Sequence, residues 1–224
     1  MDKRLDAISH YIDAGKGFVD VGTDHGYLPV WMARRGYEGN IYASDLRSGP
    51  LSTAKANAER YGLEDRIDFL LCDGLVGTDP EKIDTIVIAG MGGDTICHIL
   101  DQADWVLARA YKLILQPMSK SEVLRYWLTN NQFEISQEEL IEDSGTLYQL
   151  IVARFGGVQR LSDAQLFLGD IKQHRDPELY RQQKERLYQR FSRALKGMEN
   201  SENRNAGIVK LYRGILNELG EAQK

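Results

Sequence analysis

Only two cysteines, Cys72 and Cys97, and five prolines occur in the 224 residues. Two isolated thiols build no disulfide framework, and neither stands among His, Cys or acidic residues at metal-ligand spacing. A structural metal is therefore not expected, and both thiols are expected to be free in a reducing compartment. No apolar run approaches the roughly 18 residues that a membrane span requires, and Met1-Asp2-Lys3-Arg4-Leu5 is not followed by the apolar core of a signal peptide. A membrane protein is excluded on this reading, and the expected location is the cytoplasm.

What is present is unevenly distributed. The net charge is −5, yet residues 159–224 hold thirteen Lys and Arg against nine Asp and Glu, a balance of +4 that leaves −9 for residues 1–158. A basic appendage beside an acidic body suits a polyanionic partner, although a solvated charged helix gives the same count. The length allows one ordinary core plus an appendage.

Short apolar runs at 17–23, 40–45, 66–72, 83–89 and 112–116 read as strands. Helical stretches at 27–35, 48–61, 94–109 and 119–130 alternate with them, the last opening on Ser119-Lys120-Ser121-Glu122 as a capped start. That alternation predicts a parallel sheet with helices on both faces. Runs at 133–141 and 147–155, joined by Glu142-Asp143-Ser144-Gly145, predict a closing hairpin. Beyond Gly156-Gly157 only helical pattern remains. A short helix is expected at 162–173 and a second start at Asp176-Pro177, with Asp176 as cap. Leu187, Phe191, Leu195 and Met198 form one apolar stripe and Ile208, Leu211, Ile215 and Leu219 another, separated by Gly197 and the polar residues 199–203. An antiparallel hairpin of coiled-coil type follows, protruding from the body or lying against it.

Three successive strand ends carry an acid: Asp20 in Asp20-Val21-Gly22-Thr23-Asp24-His25, Asp45 before Leu46, and Asp73 before Gly74. At the carboxyl ends of neighbouring parallel strands such acids converge on the crevice where these sheets bind ligands. Gly22 lets the backbone approach a ligand, Asp45 is placed for ribose hydroxyls or for capping the next helix, and Asp73 is placed for an exocyclic amine. A nucleoside-bearing cofactor is the expected ligand. The spacing Gly22 to Gly26 lacks the Gly-x-Gly-x-x-Gly phosphate turn, which disfavours a dinucleotide.

The fourth strand ends in Ala89-Gly90-Met91-Gly92-Gly93, which supplies backbone and no general base. Gln116-Pro117 is a pocket lip or a plain strand terminator. Asp24 stands where a flexible glycine is usual, so it faces the cofactor or an incoming substrate. His25 is either its partner at the mouth or a surface residue. Asn57 reaches the crevice or only solvates its helix.

The turn at Asp20, with Asp24 in place of a middle glycine, and the sheet closed by a hairpin resemble class I S-adenosylmethionine (SAM) methyltransferases, a Rossmann-like, seven-stranded α/β fold. With Tyr27-Leu28-Pro29, Ile88-Ala89-Gly90-Met91-Gly92-Gly93, the opening Arg4-Leu5-x-x-Ile8 and the helical C-terminus, the whole chain resembles the TrmK-type bacterial tRNA (adenine-N1)-methyltransferases. The resemblance implies SAM as cofactor and N1 of adenosine 22 in the tRNA D-arm as target; the alternatives are a SAM-dependent methyltransferase acting on another substrate, or a non-catalytic SAM-binding body whose coiled coil binds a partner, and a monomer is expected. It divides the chain into a methyltransferase domain, 1–157, and a helical hairpin, 158–224, that holds tRNA. Cofactor contacts are then expected at Asp20, Gly22, Thr23, Asp24, Asp45, Leu46, Asp73, Gly74, Ala89, Gly90 and Met91. Asp24 and His25 are the expected catalytic residues, and Asn57, Arg181, Lys184, Arg186, Arg190 and Arg193 the expected RNA contacts.

Overall fold

A computed structural model describes residues 3–199 and 205–221. The expected polar connection at 199–203 therefore lies almost entirely outside the described residues.

Seven strands form one sheet: β1 Phe18–Val21, β2 Ile41–Asp45, β3 Asp68–Leu71, β4 Thr85–Gly92, β5 Lys112–Ser119, β6 Phe133–Asp143 and β7 Thr146–Phe155. Their order is β3-β2-β1-β4-β5-β7-β6, parallel except for β7, which runs antiparallel between β5 and β6. The chain starts in the middle at β1 and reverses direction between β1 and β4. The reversal opens a crevice at the carboxyl ends of these strands.

Burial explains the strands. Every residue of β1 and β2 is buried, as a strand with helices on both faces requires. One face is covered by α1 Lys3–His10, α2 Tyr27–Arg34 and α3 Ser48–Glu59, the other by α4 Gly93–Asp101 and α5 Ser121–Asn130. The β6–β7 connection is tighter than the sequence suggests. Asp143 pairs with Thr146, leaving a two-residue turn in which Ser144 (φ 51°) and Gly145 (φ 78°) are both left-handed, the conformation that matches strand twist.

Several boundaries differ from expectation. The stretch 94–109 is not one helix: α4 ends at Asp101, and a separate 3₁₀ turn, Asp104–Leu107, buries Val106 and sets Trp105 edge-on to Tyr111. The α5 helix starts at Ser121 with Lys120 left-handed (φ 53°) at its N-cap, so no serine caps it. The stretch 162–173 breaks into α6 Asp163–Leu168 and a 3₁₀ turn, Ile171–Gln173. The break falls at Gly169 (φ 86°), where the Glu138 carboxylate lies against the backbone and leaves no room for a Cβ. Asp176 does cap α7 Pro177–Glu199, accepting the N–H groups of Glu178 and Leu179.

The α7 helix runs antiparallel to α8 Ala206–Glu221, with Phe191 edge-on to Tyr212 and Tyr188 beside Gly220. At the base of this pair Leu187, Phe191, Ile215 and Leu219 are buried together with Leu168 of α6 and Leu140 of β6, so the hairpin lies on the body there. Farther along, Ile208 and Leu211 are exposed. A buried polar cluster fixes the base. Arg125 of α5 donates through Nε to Glu138 of β6 at 2.7 Å, through Nη1 to the Leu166 carbonyl at 2.9 Å and through Nη2 to Gln149 at 3.2 Å. Glu138 also accepts the Asp170 N–H and faces His174 at 3.5 Å.

Candidate active site

The crevice at the β1/β4 reversal is a cavity of about 600 Å³, and all the residues expected to contact a cofactor line it. A larger groove, about 1200 Å³, lies over β6 between α1 and residues 172–176. Its walls mix acids and bases, and it lies away from the strand ends, so the smaller cavity is the better site.

Asp20 sits at the base. It is buried, and its carboxylate accepts from the Thr23 hydroxyl at 2.7 Å. Burial pushes its pKa up to about 7, against the opposing pulls of the Thr23 hydrogen bond and the positive charge of Arg4. A buried acid so raised gains from a cation placed beside it. Gly22 follows with φ 69°, and a Cβ there would strike the Met91 methyl, so the β1 turn and the β4 glycine run touch at this point.

The loop after β1 is tied to β2. Gly22 and Thr23 both donate to the Ser44 carbonyl, while Asp45 accepts from the Asp24 N–H at 3.2 Å and the Arg47 N–H at 2.9 Å. Asp45 does not cap α3, whose N-cap, Arg47, has no side-chain bond at the helix start. Asp24 has φ 52°. It thus holds the left-handed conformation that glycine usually supplies, and aspartate is among the few residues that tolerate it. Its exposed carboxylate meets His25 Nε2 at 3.4 Å.

Asp73 and Gly74 close the β3 side, and Leu46 is exposed on the rim. On the opposite side β4 does not end at residue 89. It runs through the glycines to Gly92 and pairs with β5 across register shifts between Ala89, Met91 and Gly92. Gly90 is left-handed (φ 81°), and its N–H donates to Gln116 Oε1 at 3.1 Å. Gln116 is fully buried, and the same oxygen accepts from Arg4 at 3.2 Å.

Other expected residues stand elsewhere. His25 does not line the cavity; its carbonyl accepts from Asn57 Nδ2 at 2.9 Å. Asn57 therefore braces the Asp24-His25 turn from α3 instead of reaching the crevice. On α7, Arg186, Arg190 and Arg193 are exposed, and Arg181 pairs with Glu178. Lys184 is a correction: at 8% exposure it is buried and lines one cavity with Leu219 on the packed side of α7, so it is poorly placed to grip phosphate. Arg4, Thr95 and His98 line the cavity without having been anticipated. The α4 pair was detectable as two polar residues three apart on a helix that follows a glycine turn; Arg4 carried no signal beyond its place in the opening Arg4-Leu5-x-x-Ile8. Cys72 also lines the cavity, and burial raises its thiol pKa.

Residues 1–151 match the methyltransferase domain family. The chain belongs to that family. It is 34% identical over 156 residues to the Bacillus subtilis tRNA (adenine(22)-N(1))-methyltransferase, an alignment covering 70% of this chain and 66% of the relative. Among solved structures, it superposes on a Streptococcus pneumoniae candidate tRNA (m1A22) methyltransferase in complex with S-adenosyl-L-methionine, with TM-score 0.84, 28% identity and all of both chains covered. It superposes also on Mycoplasma capricolum TrmK bound to S-adenosyl-homocysteine, with TM-score 0.82, 25% identity, and coverage of 99% of this chain and 97% of that one. The family match ends within β7, so it takes in all or part of every strand of this methyltransferase's sheet.

Proposed function

We propose that this methyltransferase transfers a methyl group from SAM to N1 of adenosine 22 in the D-arm of tRNA. The observation that carries the reading is the pairing of a buried, cation-seeking Asp20 with a base-free glycine bulge across one cavity, in a chain similar from end to end to m1A22 enzymes.

The residues fit the cofactor. Asp20 suits the ammonium of the methionyl portion, Asp45 and Asp73 offer carboxylates to the nucleoside, Leu46 gives an apolar face, and Gly22, Thr23, Gly74 and Met91 leave space between them. When bound, SAM supplies an electrophilic methyl group on a sulfonium.

Adenine N1 carries an in-plane lone pair, so attack needs no prior deprotonation, and positioning supplies most of the rate. The Gly90 bulge exposes main chain from Ala89 to Met91 that receives the 6-amino group, and Gln116 holds the bulge in shape. As N1 is alkylated, positive charge develops on the base. Asp24, at the cavity mouth with its charge free of strong partners other than His25, stabilises that charge. The target base is unpaired or flipped out to reach the cavity. Exposed Arg186, Arg190 and Arg193 on the hairpin hold phosphate backbone, so residues 1–157 act as the catalytic part and 158–224 as the RNA-holding part of a cytoplasmic monomer.

Among the described residues no helix is long and apolar enough to cross a membrane. The test is mass spectrometry of nucleosides and of ribonuclease fragments, which keep the position, from unmodified tRNA incubated with the protein and SAM. The expected product is 1-methyladenosine at position 22; transfer to protein, or to another tRNA position alone, overturns the assignment.

A further inference from the structure

Beside the cofactor cavity, and sharing its walls Leu5 and Tyr27, is a second groove of about 520 Å³ between α2 and α3. Its lining includes two arginines, Arg34 and Arg60, three aromatic side chains, Tyr27, Trp31 and Tyr61, and no carboxylate. This is unusual on an acidic body. Tyr27 and Tyr61 are more than half exposed, so their rings are open to solvent. The Arg34 guanidinium lies 4.2 Å from the Tyr61 ring centre, which makes a flat cation–aromatic platform.

We propose that this groove binds the nucleotide next to the target adenosine, its base stacked on the Tyr61–Arg34 platform and its phosphate at Arg60. The inference rests on the tRNA reading above and adds a subsite to it. Exposed aromatics interleaved with arginine and free of acids are the composition that receives unstacked single-stranded RNA. A base flipped into the cofactor cavity leaves its neighbour unstacked, and the groove begins at the cavity wall.

The groove is also wired to the mouth of the site. Arg60 Nη1 donates to Asn57 Oδ1 at 3.3 Å, and Asn57 Nδ2 donates to the His25 carbonyl at 2.9 Å. A phosphate at Arg60 thus sits two hydrogen bonds from the Asp24-His25 turn. An RNA occupying the groove steadies that turn as the base enters.

The test uses the full chain and tRNA transcripts. With 4-thiouridine placed beside adenosine 22, photocrosslinks on the wild-type protein are expected within residues 27–34 or 57–61. Crosslinks confined to α7 and α8 overturn the subsite. In parallel, Tyr61→Ala and Arg34→Gln are each expected to raise KM for tRNA about tenfold while SAM affinity stays at the wild-type value. Arg60→Gln is further expected to reduce the salt dependence of binding by about one counterion. A KM within twofold of wild type in both Tyr61→Ala and Arg34→Gln overturns the proposal. If the wild-type protein transfers no methyl to tRNA, the function itself fails; if it does and the variants match it, only the subsite fails.

Discussion

The Asp20 carboxylate accepts a 2.7 Å hydrogen bond from Thr23 at the floor of the cavity, yet burial still pushes its pKa up to about 7. One hydroxyl does not offset the loss of water around a charge. The acid is held in a state that a cationic ligand improves, and two measurable consequences follow.

The first concerns stability. Asp20 titrates near 7 when folded and near 3.8 when unfolded, so between those values the folded chain binds the extra proton. Stability of the cofactor-free protein therefore falls as pH rises through this window, by up to about 4 kcal/mol from this one group. Urea unfolding of wild type and Asp20→Asn at several pH values checks it. Asn removes the buried charge, so the variant is expected to gain on wild type as pH rises from 5 to 8; parallel curves would refute the assignment.

The second concerns binding. A cationic cofactor favours the ionised acid, so binding at pH 6.5 is expected to release up to one proton, and SAM affinity to fall about tenfold per unit well below pH 7. Calorimetry in buffers of different ionisation enthalpy reads the proton count. Asp20→Asn should bind weakly with no such pH dependence.

Asp24 was legible as an anomaly, because an acid stood where the turn calls for glycine. Its left-handed backbone explains how it fits: aspartate takes the glycine conformation and adds a charge. The strands, the closing hairpin and the cavity acids were legible for the same reason, since periodicity and strand ends are local properties. The Arg4–Gln116 contact and the Arg125–Glu138 pair were not, although Gln116 was read as a pocket lip or a strand terminator and Arg4 as part of the opening motif, because hydrogen bonds spanning 112 and 13 residues depend on the assembled sheet. Lys184 was misread since a positive charge in a basic segment does not reveal which helix face it occupies; its neighbours three and seven residues on, Leu187 and Phe191, are buried on that face.

Asp24→Asn keeps both the shape and the tolerance for φ 52°, and removes only the charge. Binding of SAM and tRNA should persist while kcat falls about 100-fold. Full turnover in this variant would show that charge development on the adenine is stabilised elsewhere.

Gln116 is fully buried and accepts from both Gly90 and Arg4 through one oxygen. In Gln116→Leu the Gly90 N–H loses that acceptor, so the variant should lose about 1–3 kcal/mol in stability. The glycine bulge should also relax, lowering kcat for tRNA more than SAM affinity. Single-turnover methyl transfer alongside SAM titration separates the two effects.

The C-terminal helices cannot simply be removed to test RNA binding. The Leu166 and Phe167 carbonyls and the Asp170 N–H satisfy Arg125 and Glu138, so truncation after residue 157 strips partners from a buried ion pair. Although burial raises the Glu138 carboxyl, Arg125 and His174 outweigh it and hold its pKa below the usual range. The stability from that pairing is present above the unfolded carboxylate pKa and is lost as pH falls through the lower folded value. Removing one partner leaves the other charged and buried, so Arg125→Met is expected to cost about 3–5 kcal/mol. Charge reversal at Arg186, Arg190 and Arg193 avoids this, because all three are exposed. The triple Glu variant should keep the wild-type unfolding midpoint and SAM affinity, and should bind tRNA more weakly with a shallower salt dependence, by about one counterion for each phosphate no longer neutralised. Filter binding from low to moderate salt decides it: an unchanged slope would place the neutralising cations off the hairpin, and the α2–α3 groove would then carry more of the RNA.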